Sequence, residues 1–236
     1  MKKFWGFLLV IVLMTSCGEY QSLLKSNDYN LVYKKAIEYY NKGDYQRAMN
    51  LLDGVRSVFV GQAKAQNIAY YRAFCSYNMK DYQIASDLFK QFIQTYPESS
   101  FAEECLYMMG FCDYKASPKP RLDQQVTEKA IREFQLYLSR YPYSMRKDKV
   151  NTYMDEMRDK LSYKAYLSAK NYYLREHYKA AVISLQNCLK DYPGSKYREE
   201  IMYMLFVSKY QMAVNSVEDK KVERYNNCLL YTSDAA

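Results

Sequence analysis

Apolar positions along the chain follow two regimes. The first is one unbroken run, Phe4 to Met14, eleven residues without a charge, behind the short basic segment Met1-Lys2-Lys3. The second begins near residue 29, where apolar residues recur three and four apart in segments of about 15 residues, the pattern of amphipathic helices that each turn one stripe to a core. A phrase marks the start of every second segment: Asp44-Tyr45-Gln46-Arg47-Ala48, Asp81-Tyr82-Gln83-Ile84-Ala85, Glu128-Lys129-Ala130-Ile131 and His177-Tyr178-Lys179-Ala180-Ala181. In three of the four, Tyr-Pro follows at a constant offset from the alanine: Ala85 to Pro97, Ala130 to Pro142, Ala181 to Pro193. Proline lacks an N–H and ends a helix, so the repeating unit reads as helix, turn, helix, stop. Alanine at one fixed place in the second helix lets two backbones approach where a larger side chain would not fit.

This unit resembles the tetratricopeptide repeat in its small residue, the tyrosine three before it and the terminal proline. The resemblance implies an all-α fold, a right-handed superhelical solenoid of about five helix pairs. The departures are specific. Val60 stands where the first repeat should have its proline, and Thr127 replaces the turn tyrosine of the third. Ser117-Pro118-Lys119-Pro120-Arg121-Leu122-Asp123-Gln124 is inserted between the helices of the third repeat, and the later repeats are spaced more widely than the family's roughly 34 residues. The first helices carry a ladder of tyrosines seven apart: Tyr33 and Tyr40, Tyr70 and Tyr77, Tyr107 and Tyr114, Tyr166 and Tyr173. Tyr203 and Tyr210 continue it and place a fifth repeat near Arg198. Residues seven apart share a helix face, and in the tetratricopeptide frame that face lines the inner groove. Ile37, Phe74 and Phe111 lie between the rungs, with Lys170 in the fourth repeat. The expected peptide-binding groove is therefore Tyr33, Tyr40, Tyr70, Phe74, Tyr77, Tyr107, Phe111 and Tyr114. The competing reading is that tyrosine recurs there because it packs well.

Composition narrows the chemistry. The 236 residues include 28 tyrosines but one histidine and seven glycines. That leaves little for a histidine metal site, a Ser-His-Asp triad or a phosphate-cradling loop, and no catalytic residue, metal site or cofactor is expected. His177 falls in an exposed turn, and the doublets Glu103-Glu104, Asp155-Glu156 and Glu199-Glu200 sit near helix starts, where acid complements the macrodipole. Tyrosine offers a large ring, a polar tip and a low entropy cost on ordering, which suits holding extended polypeptide. The formal charge of +8 is too diffuse to argue for nucleic acid. Basic residues gather in the later repeats, and Lys170, Arg175, Lys190, Lys196 and Arg198 are the expected docking positions for an acidic partner, although solvated helix faces carry lysine routinely. Six cysteines without CxxC spacing do not read as a disulfide framework; four fall in helical patterns as small hydrophobes.

The apolar run is too short to span a bilayer, which takes about 20 residues, and reads as a secretory signal. Leu13-Met14-Thr15-Ser16-Cys17 at its end resembles a bacterial lipobox, with Met14 where relatives usually carry leucine. It implies acylation of Cys17, and removal of residues 1–16 takes away Lys2 and Lys3 and no acid, leaving +6. A lipobox followed by about five divergent repeats is similar to the BamD (ComL) family of outer-membrane assembly lipoproteins. The third-repeat insertion through Lys129-Ala130-Ile131 looks like the version in Bacteroidetes relatives. The likeness covers about residues 17–228. It implies a lipid-anchored, periplasm-facing protein of the outer membrane, a non-enzymatic subunit of the β-barrel assembly machinery. Its partners would be the periplasmic domains of the barrel assembly subunit (BamA-like), unfolded β-barrel outer-membrane proteins, and the membrane through its lipid. The domain reading is signal peptide 1–16, acylated Cys17 and tether 17–28, repeat domain 29–228 and an anomalous tail 229–236. Two alternatives stay open. One is a SusD-like carbohydrate-binding lipoprotein, although such relatives are longer and put tryptophan at their sugar sites, whereas the one tryptophan here is Trp5. The other is a periplasmic scaffold coordinating envelope or peptidoglycan synthesis.

Overall fold

A computed structural model describes the backbone of residues 18–233 and the side chains of residues 18–226. Among these residues the chain is helical and contains no strand. Residues 18–24 form α1. Then come α2 (Tyr29–Asn41), α3 (Tyr45–Val55), α4 (Ala63–Asn78), α5 (Tyr82–Thr95) and α6 (Ala102–Ala116). They are followed by α7 (Gln125–Arg140), α8 (Lys147–Leu174), α9 (Tyr178–Asp191), α10 (Arg198–Val214) and α11 (Glu218–Ser233). Two units can be distinguished: one runs to Ser117 and resumes over Glu128–Lys147, the other comprises Pro118–Thr127 and the chain from Asp148 onward. In the first unit α2 to α6 pack each against the next, and in the second α9, α10 and α11 do the same. This is the tetratricopeptide-like arrangement that the resemblance implied.

The recurring turn explains why each pair reverses. Asp44, Asp81 and His177 donate their backbone N–H to Tyr39, Ser76 and Tyr172 carbonyls, at 2.9, 3.0 and 3.0 Å. One residue earlier, Gly43, Lys80 and Glu176 donate to Tyr40, Tyr77 and Tyr173 carbonyls, each at 3.0 Å. The paired bonds form a Schellman motif, which requires a left-handed residue just past the helix. Gly43 takes it at φ 81°, whereas Lys80 and Glu176 take it at φ 67° and 60°. In the third repeat α6 ends at Ala116 and α7 starts at Gln125, so the insertion replaces that turn. Gln124 pins it from within: its amide donates to the Lys119 and Leu122 carbonyls at 2.8 and 3.1 Å, and its oxygen accepts from buried Thr127 at 2.7 Å.

Tyr-Pro stops the second helices at the expected places. α5, α7 and α9 end one residue before Tyr96, Tyr141 and Tyr192, whose N–H groups still bond to Phe92, Tyr137 and Cys188. The four repeat alanines, Ala48, Ala85, Ala130 and Ala181, are each 0% exposed. The first unit builds its core from Leu51, Leu52, Val55, Phe59 and Ile68, the second from Leu185, Ile201, Met204 and Leu205 around Tyr166. Each such side chain contributes about 1.5–3 kcal/mol on burial. Closeness reaches its limit at Gly110, where a Cβ would stand 2.9 Å from the Phe134 ring. The extra spacing of the fourth repeat goes into α8, a helix of 28 residues. No described helix is long and apolar enough to cross a membrane.

Residues 18–24, which the sequence assigns to the tether, pack onto α2 and α3. Tyr20 and Leu23 are buried, Tyr20 Oη accepts from Asn50 at 3.0 Å, and Glu19 pairs with Lys35 at 3.0 Å. Cys17 and the signal segment lie outside the described residues, as does the end of the chain past Ser233.

Candidate functional site

The first helices of the first three repeats, α2, α4 and α6, carry the predicted aromatics of the first unit. Seven of these eight are joined by ring contacts. Tyr40 meets Tyr71 at 4.9 Å between centroids, Tyr71 meets Tyr70 at 5.5 Å, and Tyr70 meets Phe74 at 4.5 Å. Phe74 leads to Tyr77 at 6.4 Å, Tyr77 crosses to Phe111 at 6.2 Å, and Phe111 stacks on Tyr107 and Tyr114 at 5.6 and 5.9 Å. Tyr33 stands apart from this path, against Phe59 at 6.1 Å with the Lys64 ammonium over both rings. All are half-buried except Tyr107, which is buried among Phe111, Phe134 and Tyr137. The face is thus an apolar band made of rings whose undersides pack between helices. Tyr71, Tyr82 and Phe101 extend it, and the seven-residue ladder did not include them.

The hydroxyls have partners of their own. Tyr70 donates to Glu104 at 2.8 Å, Tyr137 to Glu103 at 2.9 Å and Tyr166 to Glu200 at 2.7 Å, each exactly 34 residues ahead or behind in the chain. Burial, reinforced by Glu104, drives the Tyr70 hydroxyl well above its usual range; burial pushes Tyr40 up to about 12. These phenols stay neutral at any physiological pH. Glu103, Glu104 and Glu200 therefore do more than complement a dipole: they tie α6 to α7 and α4, and α10 to α8. Glu103 also accepts from Ser144 at 2.7 Å, and Glu104 lies 3.7 Å from Arg146, whose guanidinium sits over the Tyr107 ring.

The basic positions of the second unit differ from one another. Lys170 Nζ lies 2.7 Å from Glu200 and 2.8 Å from Tyr166 Oη, which raises the ammonium above its usual range and, from the other side, lowers the Glu200 carboxyl. The pair bridges α8 and α10 at the surface, with both side chains partly exposed. Lys196 is 3.6 Å from Asp159 and covers the Tyr197 ring. Arg175, Lys190 and Arg198 are exposed. His177 is exposed too, at the start of α9.

The described cysteines do not suit bond chemistry. Cys75, Cys105, Cys112 and Cys188 are free and buried, and burial pushes the Cys75 and Cys105 thiols up to about 12, far from the thiolate a nucleophile needs. No group of three or more potential metal ligands occurs among the described residues. A band of rings fixed by neighbours can grip apolar side chains of a passing segment without demanding one sequence.

No curated protein matches the chain. A family model described as "outer membrane lipoprotein" matches residues 25–224, a stretch that begins within the α1–α2 connection and ends in α11. With its repeat turns, its ring-bearing first helices and that match over most of its length, the chain belongs to the YfiO family of outer membrane lipoproteins.

Proposed function

We propose that this lipoprotein is a non-enzymatic assembly factor of the outer membrane, anchored through Cys17 and facing the periplasm, which holds segments of unfolded β-barrel proteins on the aromatic face of its first unit. It works beside the barrel assembly subunit, whose periplasmic domains dock on the later repeats. The observation that carries the reading is the continuous path of rings from Tyr40 to Tyr114 across α2, α4 and α6. A transmembrane β-strand alternates apolar and polar side chains, so an unfolded one offers an apolar group every second residue to such a band. The rings supply contact area at low entropy cost, and their shared packing keeps the band from collapsing when the segment leaves. Among the basic positions, Arg175, Lys190, Lys196 and Arg198 are exposed and fit an acidic partner surface, although Lys196 lies near Asp159, whereas Lys170 is held by Glu200.

The test is a photoreactive side chain at Tyr77 or Tyr114, activated in living cells. Attachment of β-barrel precursors is expected, together with the barrel assembly subunit for probes at Arg175 or Arg198. Recovery of peptidoglycan enzymes or glycan alone overturns the assignment.

A further inference from the structure

The third repeat buries an acid–base cluster that the aromatic face does not use. Asp113 of α6 is 1% exposed and Glu133 of α7 is 8% exposed. The Asp113 carboxylate accepts from Ser86 Oγ of α5 at 2.9 Å and from Lys129 Nζ of α7 at 2.9 Å. Lys129 also reaches Ser86 Oγ at 3.2 Å, Glu133 at 3.7 Å and Asp87 at 3.8 Å. Three helices thus meet at one ammonium and two buried acids. If both acids were ionised, one buried negative charge would be left over, and Glu133 Oε2 has no hydrogen-bond partner to offset its loss of water.

We propose that Asp113, Lys129 and Glu133 form a proton-dependent lock that holds α7 on α5 and α6, closed while Glu133 carries a proton and loosened once it ionises. The groups interacting with Glu133 are Asp113 and the Cys112 thiol from α6 and Lys129 one turn earlier on α7; Asp87 of α5, itself mostly exposed, meets Lys129. Burial keeps the Cys112 thiol protonated, and the one cation lies closer to Asp113 than to Glu133. Burial first, then the neighbouring Asp113 carboxylate, push the Glu133 carboxyl up to about 8. Burial alone would depress the Lys129 ammonium, but Asp113 and Glu133 outweigh it and hold it above its usual range, so it stays charged throughout.

The sign follows from linkage. A glutamate in the unfolded chain loses its proton near 4.3, whereas the folded one keeps it until about 8. The closed state therefore binds one more proton than the open one across that interval, and its advantage is complete in acid and lost as pH rises through it. The lock touches function because α6 bears Asp113 on one face and Tyr107, Phe111 and Tyr114 on another. The inference stands on the cluster alone and does not depend on what the rings hold.

The test is hydrogen exchange by mass spectrometry on the full chain, with rates corrected for the intrinsic effect of pH. Protection of residues 128–140 should fall by up to about tenfold per pH unit between pH 5 and pH 8. In Glu133→Gln, which cannot ionise, the same residues should show no such fall, and α9 should be flat in both proteins. Parallel profiles for the two proteins overturn the lock. Should the variant fail to fold, carbon NMR of the glutamate side-chain carboxyls in the native chain decides. One carboxyl titrating near 8 supports the lock, and a set that has finished titrating below about pH 6 sinks it.

Discussion

Single residues set the tolerances of this array. Gly110 is the tightest point: its missing Cβ would meet Cδ1, Cε1 and Cγ of Phe134 at 2.9, 3.0 and 3.3 Å, and that ring is itself 0% exposed. A ring clamped at its base cannot swing aside, so α6 and α7 would have to separate. Gly110→Ala should lower stability by about 1–3 kcal/mol, read as an earlier thermal midpoint. A change below a few tenths would mean that the helices are not so close. Lys80 and Glu176 present the opposite case, since both occupy the left-handed turn position that Gly43 fills in the first repeat. A side chain there costs about 1–2 kcal/mol, partly offset by the freedom glycine adds to the unfolded chain. Lys80→Gly and Glu176→Gly should each raise stability by up to about 1 kcal/mol. A loss on calorimetry would contradict the turn. The fixed alanines were legible in the sequence, since a constant offset from proline shows where no bulk is tolerated. Gly110 was not, because nothing local distinguishes a glycine required by a ring 24 residues away.

Helices and their ends were the most legible level, and the turns that join them show why. Tyr-Pro stops, turn aspartates and the insertion at 117–124 are local signals, and local signals fix element boundaries. What the sequence left open was how each cap is made. Asp44 accepts from the Arg47 N–H at 3.2 Å and pairs with the Arg47 guanidinium at 3.3 Å, whereas Asp81 and His177, in the same frame, make no side-chain cap bond. Asp44→Ala should therefore cost about 1 kcal/mol and Asp81→Ala markedly less, and equal shifts in the denaturation midpoint would erase the distinction. The site was legible in part. Seven-residue spacing put Tyr40, Tyr70, Tyr77, Tyr107 and Tyr114 on corresponding faces, and their rings do connect through Tyr71, Phe74 and Phe111. The use of Tyr70 and Tyr166 hydroxyls by Glu104 and Glu200 was not foreseen, because a one-dimensional pattern shows which face a side chain occupies but not which neighbour claims its polar tip.

For the whole molecule, the proposed attachment to the membrane would lie immediately before α1. If Cys17 is acylated, the lipid adjoins the first residue of a helix already docked: Glu19 pairs with Lys35, and Tyr20 is pinned by Asn50, by the Tyr39 ring at 5.9 Å and by the Arg47 guanidinium over its face. The first unit, rings included, would then be carried directly at the bilayer rather than on a loose leash. Two sources of membrane affinity have to be told apart. Acyl chains contribute about 0.8 kcal/mol per buried methylene, and more than one chain gives stable anchoring that salt does not weaken. The surplus of six positive charges that removal of residues 1–16 would leave attracts anionic headgroups only within a Debye length, which shrinks to a few ångströms in about 0.5 M salt. Cys17→Ala should accordingly leave the membrane fraction when washed at that ionic strength, while the unaltered protein stays. Release of both would show that charge was the anchor, and retention of both would show that something other than Cys17 holds the chain to the bilayer.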